Sequence, residues 1–332
     1  MPPVSRTAPP ATGARTPWTA LPDRVKSALA DALGAPVEEA VTQPGGFSPG
    51  VAARVRLADG RRAFVKAVSA ETNPHSPALH RAEAKNAAAL PSDVPAPRLL
   101  AAYDDGTWVA LAFEDVAGKQ PEVPWNQGEL TRVLDAVEEL ARTLTPAPLA
   151  APRASEALAR TFDGWRRLGE GDRLHHAGLD DWATRNAAAL AELAAPWADF
   201  VDGDTLAHGD LRADNILLTP ERVVFVDWPH VLRGAPWLDL LIMLPCVYAQ
   251  GGPDPEDVFT AHPLGRAADP EGVTRALTAL AGYFLEHAAR PAPPGLPTLR
   301  PFQRAQGDAA LAWLRRRLRN RAVPQRLVRD LR

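Results

Sequence analysis

The run His208-Gly209-Asp210-Leu211-Arg212-Ala213-Asp214-Asn215-Ile216-Leu217-Leu218 is followed by Val223-Val224-Phe225-Val226-Asp227-Trp228-Pro229-His230. It sets the carboxylates of Asp210 and Asp227 and the amide of Asn215 on a strand–turn–strand unit. Metal-assisted phosphoryl transfer needs such a set: one carboxylate takes or orients the proton of an attacking hydroxyl, while an amide and a second carboxylate hold Mg²⁺ on nucleotide phosphates. Asp210 is the candidate for the first role. Asn215, five residues on, offers the neutral oxygen that a hard cation accepts. Asp227 ends an apolar strand, where a carboxylate is costly unless it is paired or metal-bound.

Arg212 stands close enough to Asp210 to neutralise charge on a transferring phosphoryl group, although a surface arginine would look the same. His208 reads as a structural imidazole that bonds the backbone near Asp227 and keeps the two segments in register. Lys66 lies inside the apolar strand Phe64-Val65-Lys66-Ala67-Val68. A buried ammonium needs an anion, and Glu83 on the following helix is the natural carboxylate, with nucleotide phosphates as the other partner. The alternative is a lysine on an exposed strand face. Gly45-Gly46-Phe47-Ser48-Pro49-Gly50 precedes Lys66 and would let backbone N–H groups, at Gly46 and Ser48 among others, approach phosphates. A plain hairpin loop has the same composition.

The elements that must position these groups fall into two sets. Residues 1–20 are rich in Pro, Ala and Thr without periodicity and read as a disordered tail. A helix over Asp23–Leu33 precedes strands from Val37, over Val51–Leu57 and over Arg62–Val68, with Asp59-Gly60 as a type I′ hairpin signal. Ser76–Leu90 reads as a helix, and strands over Leu99–Tyr103 and Trp108–Phe113 flank Asp104-Asp105-Gly106. Helices then dominate: Glu129–Leu144, Ser155–Leu168, Asp180–Ala195, Trp237–Tyr248, Val273–Ala289 and Gln303–Leu318. The expectation is an α+β, two-lobed molecule. An antiparallel-sheet N-terminal lobe (21–115) binds nucleotide, and a mainly helical lobe (116–332) carries catalysis and acceptor binding.

With 332 residues, 46% hydrophobic and 23% charged, the chain is long enough for two lobes of ordinary composition. A net charge of −3 points to neither a nucleic-acid nor a membrane-surface partner. No apolar run is long enough for a spanning helix, and the N-terminus lacks a signal-peptide pattern. The single cysteine, Cys246, permits no internal disulfide. A cytoplasmic protein is expected.

Together these residues resemble the aminoglycoside phosphotransferase and choline kinase group within the protein-kinase-like fold, over roughly residues 37–290. The resemblance is strongest at His208–Leu218 and at Asp227-Trp228 through Gly234-Ala235-Pro236-Trp237-Leu238-Asp239-Leu240. It implies that Asp210 is the catalytic aspartate, that Asn215 and Asp227 bind Mg²⁺, and that Lys66, positioned by Glu83, binds ATP phosphates. It further implies that Asp239 braces the catalytic loop and that Phe113, Glu114 and Val116 form the hinge beside adenine. Three features depart from the group or from protein kinases. The glycine loop lacks Gly-x-Gly-x-x-Gly, Pro229 stands where some members carry a second acid, and Trp228-Pro229 replaces Phe-Gly.

The implied activity is ATP-dependent phosphorylation of a small-molecule hydroxyl, antibiotic-directed of the aminoglycoside type. A metabolite kinase acting on an amino alcohol or sugar, and a non-catalytic nucleotide-binding protein, are the alternatives. A protein kinase is disfavoured, because only eleven residues separate Asp227 from Asp239. A polycationic acceptor would need acids in the helical lobe, and Asp254, Glu256, Asp257, Asp180 and Asp181 are available. The last eighteen residues hold eight arginines and one acid, which reads as a solvent face of a final helix. Trp125, Trp165, Trp237 and Trp313 could build an apolar acceptor wall, with core packing as the default.

Overall fold

The computed structural model describes residues 8–47 and 49–319. Its N-terminal half holds a five-stranded antiparallel sheet in the order β1-β2-β3-β5-β4. The strands are β1 (Val37–Thr42), β2 (Val51–Leu57), β3 (Arg62–Ser69), β4 (Leu99–Asp104) and β5 (Trp108–Glu114). Alternation along β2 turns Val51, Ala53, Val55 and Leu57 onto one buried face. Helix α1 (Asp23–Leu33) meets that face through Val25, Leu29 and Leu33, spaced at one side of a helix, and stops at Gly34 in the left-handed conformation. The other face packs Val109, Leu111 and Phe113 of β5 against helix α2 (Ser76–Ala89). That helix buries Ser76, His80, Glu83 and Asn86, so polar groups are carried into the space between the lobes.

The helical half is built on one large core. Helix α3 (Gln127–Thr143) starts at Asn126, whose side chain accepts from the N–H groups of Gly128 and Glu129. Helix α4 (Leu238–Ala249) is apolar on nearly every side and almost wholly buried. Helices α5 (Pro255–Ala261), α6 (Pro270–Ala288) and α7 (Leu299–Leu318) pack around it. Two short ribbons interrupt the helices: β6 (Thr205–Ala207) with β9 (Leu232–Gly234), and β7 (Ile216–Leu218) with β8 (Val223–Phe225). No helix among the described residues is long and apolar enough to cross a membrane.

Four expectations from sequence need correction. Residues 8–20 do not read as a disordered tail: Thr12 bridges Gly45, Arg15 bridges Gly50, and Trp18–Ala20 forms a 3₁₀ turn. The β2–β3 hairpin forms, but Asp59 keeps a negative φ, and only Gly60 is left-handed at +85°. Leu57 N–H bonds Arg61 O across a three-residue loop, a type I turn closed by a glycine bulge instead of a type I′ turn. The helix expected over Ser155–Leu168 is two pieces, Ala154–Ala157 and Gly164–Leu168. Gly164 lies so close to Gly282 that a Cβ there would meet its carbonyl at 2.2 Å. The helix expected over Asp180–Ala195 breaks at Asn186, whose side chain bonds the Trp182 carbonyl and competes with the helical ladder. Helix α5 went unread because its apolar stretch is too short to show a period.

Candidate active site

Lys66 is brought to the cleft by the register of β3. Its Nζ donates to Glu83 Oε1 at 2.7 Å, Glu83 Oε2 at 3.0 Å and Asp227 Oδ1 at 2.6 Å. Burial works against the Lys66 charge, but Asp227 and Glu83 outweigh it and raise its pKa. Burial also opposes ionisation of Asp227, and Lys66 overcomes it, holding that carboxyl far below its usual range. Glu83, enclosed more tightly, is pushed up to about 7 by burial, with Lys66 opposing. His80, one turn earlier on α2, is held down at about 4 by burial and by Lys66.

Asp227 has φ +71°, the one positive value at a non-glycine position among the described residues. Such backbone costs about 1–3 kcal/mol and persists where packing over-determines it. Here Trp228, next in the chain, is clamped: its Nε1 donates to Phe225 O at 2.9 Å, and its carbonyl accepts from Asn86 Nδ2 at 2.8 Å. The Trp228-Pro229 pair is thus fixed to α2.

The segment from His208 to Asn215 is organised by three groups. Asp239, in the first turn of α4, accepts from the N–H groups of His208 at 2.8 Å and Gly209 at 2.9 Å. Burial raises its pKa to about 6, with those two amides opposing. His208 Nε2 bonds Val226 O at 3.0 Å, and its Nδ1 accepts from Asp210 N–H at 3.3 Å. The ring is therefore a neutral donor–acceptor bridge between the two strands, held near pKa 4 by burial. Asn215 Nδ2 donates to Asp210 O at 2.8 Å and Oδ2 at 3.3 Å, which fixes the amide. Burial raises the pKa of Asp210, and the Arg212 guanidinium opposes it.

Arg212 is heavily engaged. It donates to Asp210 Oδ1 at 3.0 Å and to both Asp214 oxygens at 3.1 Å. It also lies over the rings of Phe47 and Phe302, which meet edge to face at 5.0 Å. Phe47 belongs to the glycine loop and Phe302 to α7, so this contact joins the lobes.

Two cavities meet at these residues. One, of about 400 Å³, is lined by Lys66, Gly46, Phe113, Glu114, Val116, Asn215 and Asp227, together with Arg15. The second, of about 500 Å³, is lined by Asp210, Arg212, His230, Tyr283, Phe302 and Gln306. The two share Phe47, His80, Glu83 and Asp227. Ser48 lies outside the described residues. Asp227 and Asn215 supply oxygen donors only, one charged and one neutral. They fit a Mg²⁺ ion that completes its shell with phosphate oxygens and water.

Arg15, Asn86, Phe47 and Phe302 are site residues that sequence reasoning missed. Asn86 follows Glu83 at helical spacing and was legible as the same face of α2. Arg15 sits in an aperiodic Pro/Ala/Thr segment that gave no signal. Trp125, Trp165, Trp237 and Trp313 are all buried in the core and line neither cavity. The acids considered for a cationic acceptor are likewise elsewhere. Asp254 and Asp257 pair with Arg316, Glu256 with Arg317, and Asp180 with Arg315.

The fold is similar to that of choline kinase from Streptococcus pneumoniae, with TM-score 0.57 and 15% identity over 87% of this chain and 98% of that one. It is also similar to a thermostable mutant of an aminoglycoside phosphotransferase, crystallised with ADP and hygromycin B (TM-score 0.55, 16% identity, 88% of this chain and 98% of that one). An aminoglycoside 3'-phosphotransferase from Streptomyces ribosidificus is 30% identical over 132 residues, 38% of this chain. The chain spans about half (48%) of the length of that curated relative. The profile of the phosphotransferase enzyme family APH matches residues 44–277, a span that contains Lys66, Glu83, Asp210, Asn215, Asp227 and Asp239. By that match the chain belongs to the APH phosphotransferase enzyme family.

Proposed function

We propose that this phosphotransferase moves the γ-phosphoryl group of ATP, with Mg²⁺, to a hydroxyl group of a small molecule in the cytoplasm. The observation that carries the reading is that the two cavities share Asp227 and Glu83, with Lys66 and Asn215 lining the one and Asp210 the other. Nucleotide in the first cavity sets adenine beside Phe113, Glu114 and Val116, and its phosphates beside Lys66 and the glycine loop. Asp210 aligns the acceptor hydroxyl for in-line attack and takes its proton late, as the new O–P bond forms and the bridging β–γ bond breaks. Arg212 balances the charge of Asp210 and steers it. Bound Mg²⁺, held by Asn215 and Asp227, supplies neutralisation of phosphate charge.

Charge pairing narrows the acceptor. Carboxylates lining the second cavity are Glu83, Asp210 and Asp227, and each already faces Lys66 or Arg212. The rest of the wall mixes apolar and aromatic side chains with uncharged hydrogen-bonding groups, Thr161, Tyr283, Gln303 and Gln306 among them. Among the described residues a polycation finds no unpaired acid there, so an uncharged hydroxyl compound suits the site better than an aminoglycoside. The test is Mg²⁺-dependent ADP release with kanamycin as the polycation and chloramphenicol as an uncharged aromatic diol, within a wider panel of both classes. The reading expects uncharged compounds to give the higher kcat/KM. A clear preference for polycations would overturn the acceptor assignment, and ATP binding without release across both classes would favour a non-catalytic protein.

A further inference from the structure

The glycine loop presents an anomaly for a phosphate cradle. Gly46 N–H donates to Ala11 O at 2.9 Å and Gly50 N–H to Ala14 O at 3.3 Å, so two of its amides are already committed. The acceptors lie on residues 8–16, which cross the loop as a strap. Thr16 N–H donates to Gly50 O at 3.0 Å, and Thr12 and Arg15 bridge Gly45 and Gly50. The same strap is fastened to the helical lobe. Ala8 N–H donates to Ala249 O at 3.0 Å, Ala14 N–H to Gly295 O at 2.8 Å, and the Thr12 and Thr298 hydroxyls meet at 3.1 Å.

The strap carries one cation into the nucleotide cavity. Arg15 lines it beside Lys66 and Asp227, with Nε donating to Gln43 O at 3.1 Å and Nη2 to Gly45 O. The carbonyls of Gly45, in the loop, and of Gln43, just ahead of it, thus hold the guanidinium on the wall of the nucleotide cavity. The charge balance gives this placement meaning. Lys66 is shared between two carboxylates, Glu83 and Asp227, so Arg15 adds a second positive charge at the end of the cleft where phosphates would lie. Burial lowers the pKa of Arg15, and the Asp227 carboxylate opposes that, which puts the guanidinium within electrostatic reach of the same carboxylate.

We propose that Arg15 is a phosphate-binding residue of the nucleotide site, supplying from a strap ahead of the sheet lobe the positive charge and donors that the occupied loop amides do not. The inference rests on the ATP-binding reading above and adds a contact that the family match, beginning at residue 44, does not contain.

The test is calorimetric binding of MgATP and of adenosine to the full chain, as wild type, Arg15→Ala and Arg15→Lys. Loss of a charge-assisted hydrogen bond predicts ATP affinity lower by roughly 10- to 100-fold in Arg15→Ala, with partial recovery in Arg15→Lys. Adenosine affinity should stay within about twofold, since it lacks phosphates, and its retention reports that the variant is folded. Equal losses for ATP and adenosine would make Arg15 a structural residue. Unchanged or tighter ATP binding would make it a bystander or a plug. Either result overturns the proposal while the nucleotide reading stands, whereas a wild type that binds no ATP removes both.

Discussion

Asp227 concentrates the strain and the charge of this site. It holds a left-handed backbone, an ion pair with Lys66 and the proposed metal-ligand position at once, while Trp228 behind it is pinned from two sides. His208 does the complementary work of tying the Asp210 turn to the Asp227 strand as a neutral ring. Its pKa, held near 4 by burial, gives the bridge a pH signature. The unfolded ring takes its proton near pH 6.5 and the folded ring only near 4, so stability is full above that window and falls as pH drops through it. Glu83 and Asp239, raised by burial, shift stability in the opposite sense, so the contribution is isolated by comparison with a variant. Between pH 7.5 and pH 5, wild type should lose about 2 kcal/mol relative to His208→Gln. Urea denaturation of both proteins at the two pH values measures this, and parallel pH dependence would mean that the ring is protonated in the fold.

At the scale of elements, the Asp210 turn is set by how closely two backbones approach. Gly209 has φ +80°, and a Cβ there would stand 2.4 Å from His230 O. Gly209→Ala therefore meets backbone strain and a clash that no side-chain rotation relieves. It should lose about 1–3 kcal/mol, read as a Tm several degrees lower, and should displace Asp210 enough to cut turnover. A variant with wild-type Tm and rate would show that the turn has room. Some of these elements are written locally. The alternation of β2 and the Gly34 stop of α1 can be read to the residue, and so can the Lys66/Glu83 pair, because period and burial cost are properties of a short window. Other features are not. The bulged turn at Asp59-Gly60 depends on a register fixed by the whole sheet, and the strap depends on pairing between residues 11–16 and 45–50. Arg15 is therefore invisible in a segment without hydrophobic period, although its neighbours in space are the most legible residues of the chain.

At the scale of the molecule, the distribution of charge separates what holds the helical lobe together from what the cleft offers to ligands. The acids at 254–257 serve α7. Glu256 accepts from Arg317 at 3.0 and 3.1 Å and from Trp313 Nε1 at 2.6 Å, in a buried cluster away from both cavities. Glu256→Ala leaves a guanidinium and an indole N–H without that carboxylate, at a cost of about 3–5 kcal/mol. Chemical denaturation should show that loss while the preference between charged and uncharged acceptors stays as in wild type; a changed preference would mean that the cluster reaches the acceptor. The same separation leaves Asp210 as the acid of the second cavity to which the proposed mechanism gives a chemical task. The most direct measurement is the ADP-release rate of wild type and Asp210→Ala on one shared acceptor, together with MgATP affinity for each. Loss of hydroxyl alignment and proton acceptance predicts a fall in kcat of about 10²- to 10⁴-fold with ATP affinity nearly unchanged. Full turnover by Asp210→Ala would contradict the mechanism.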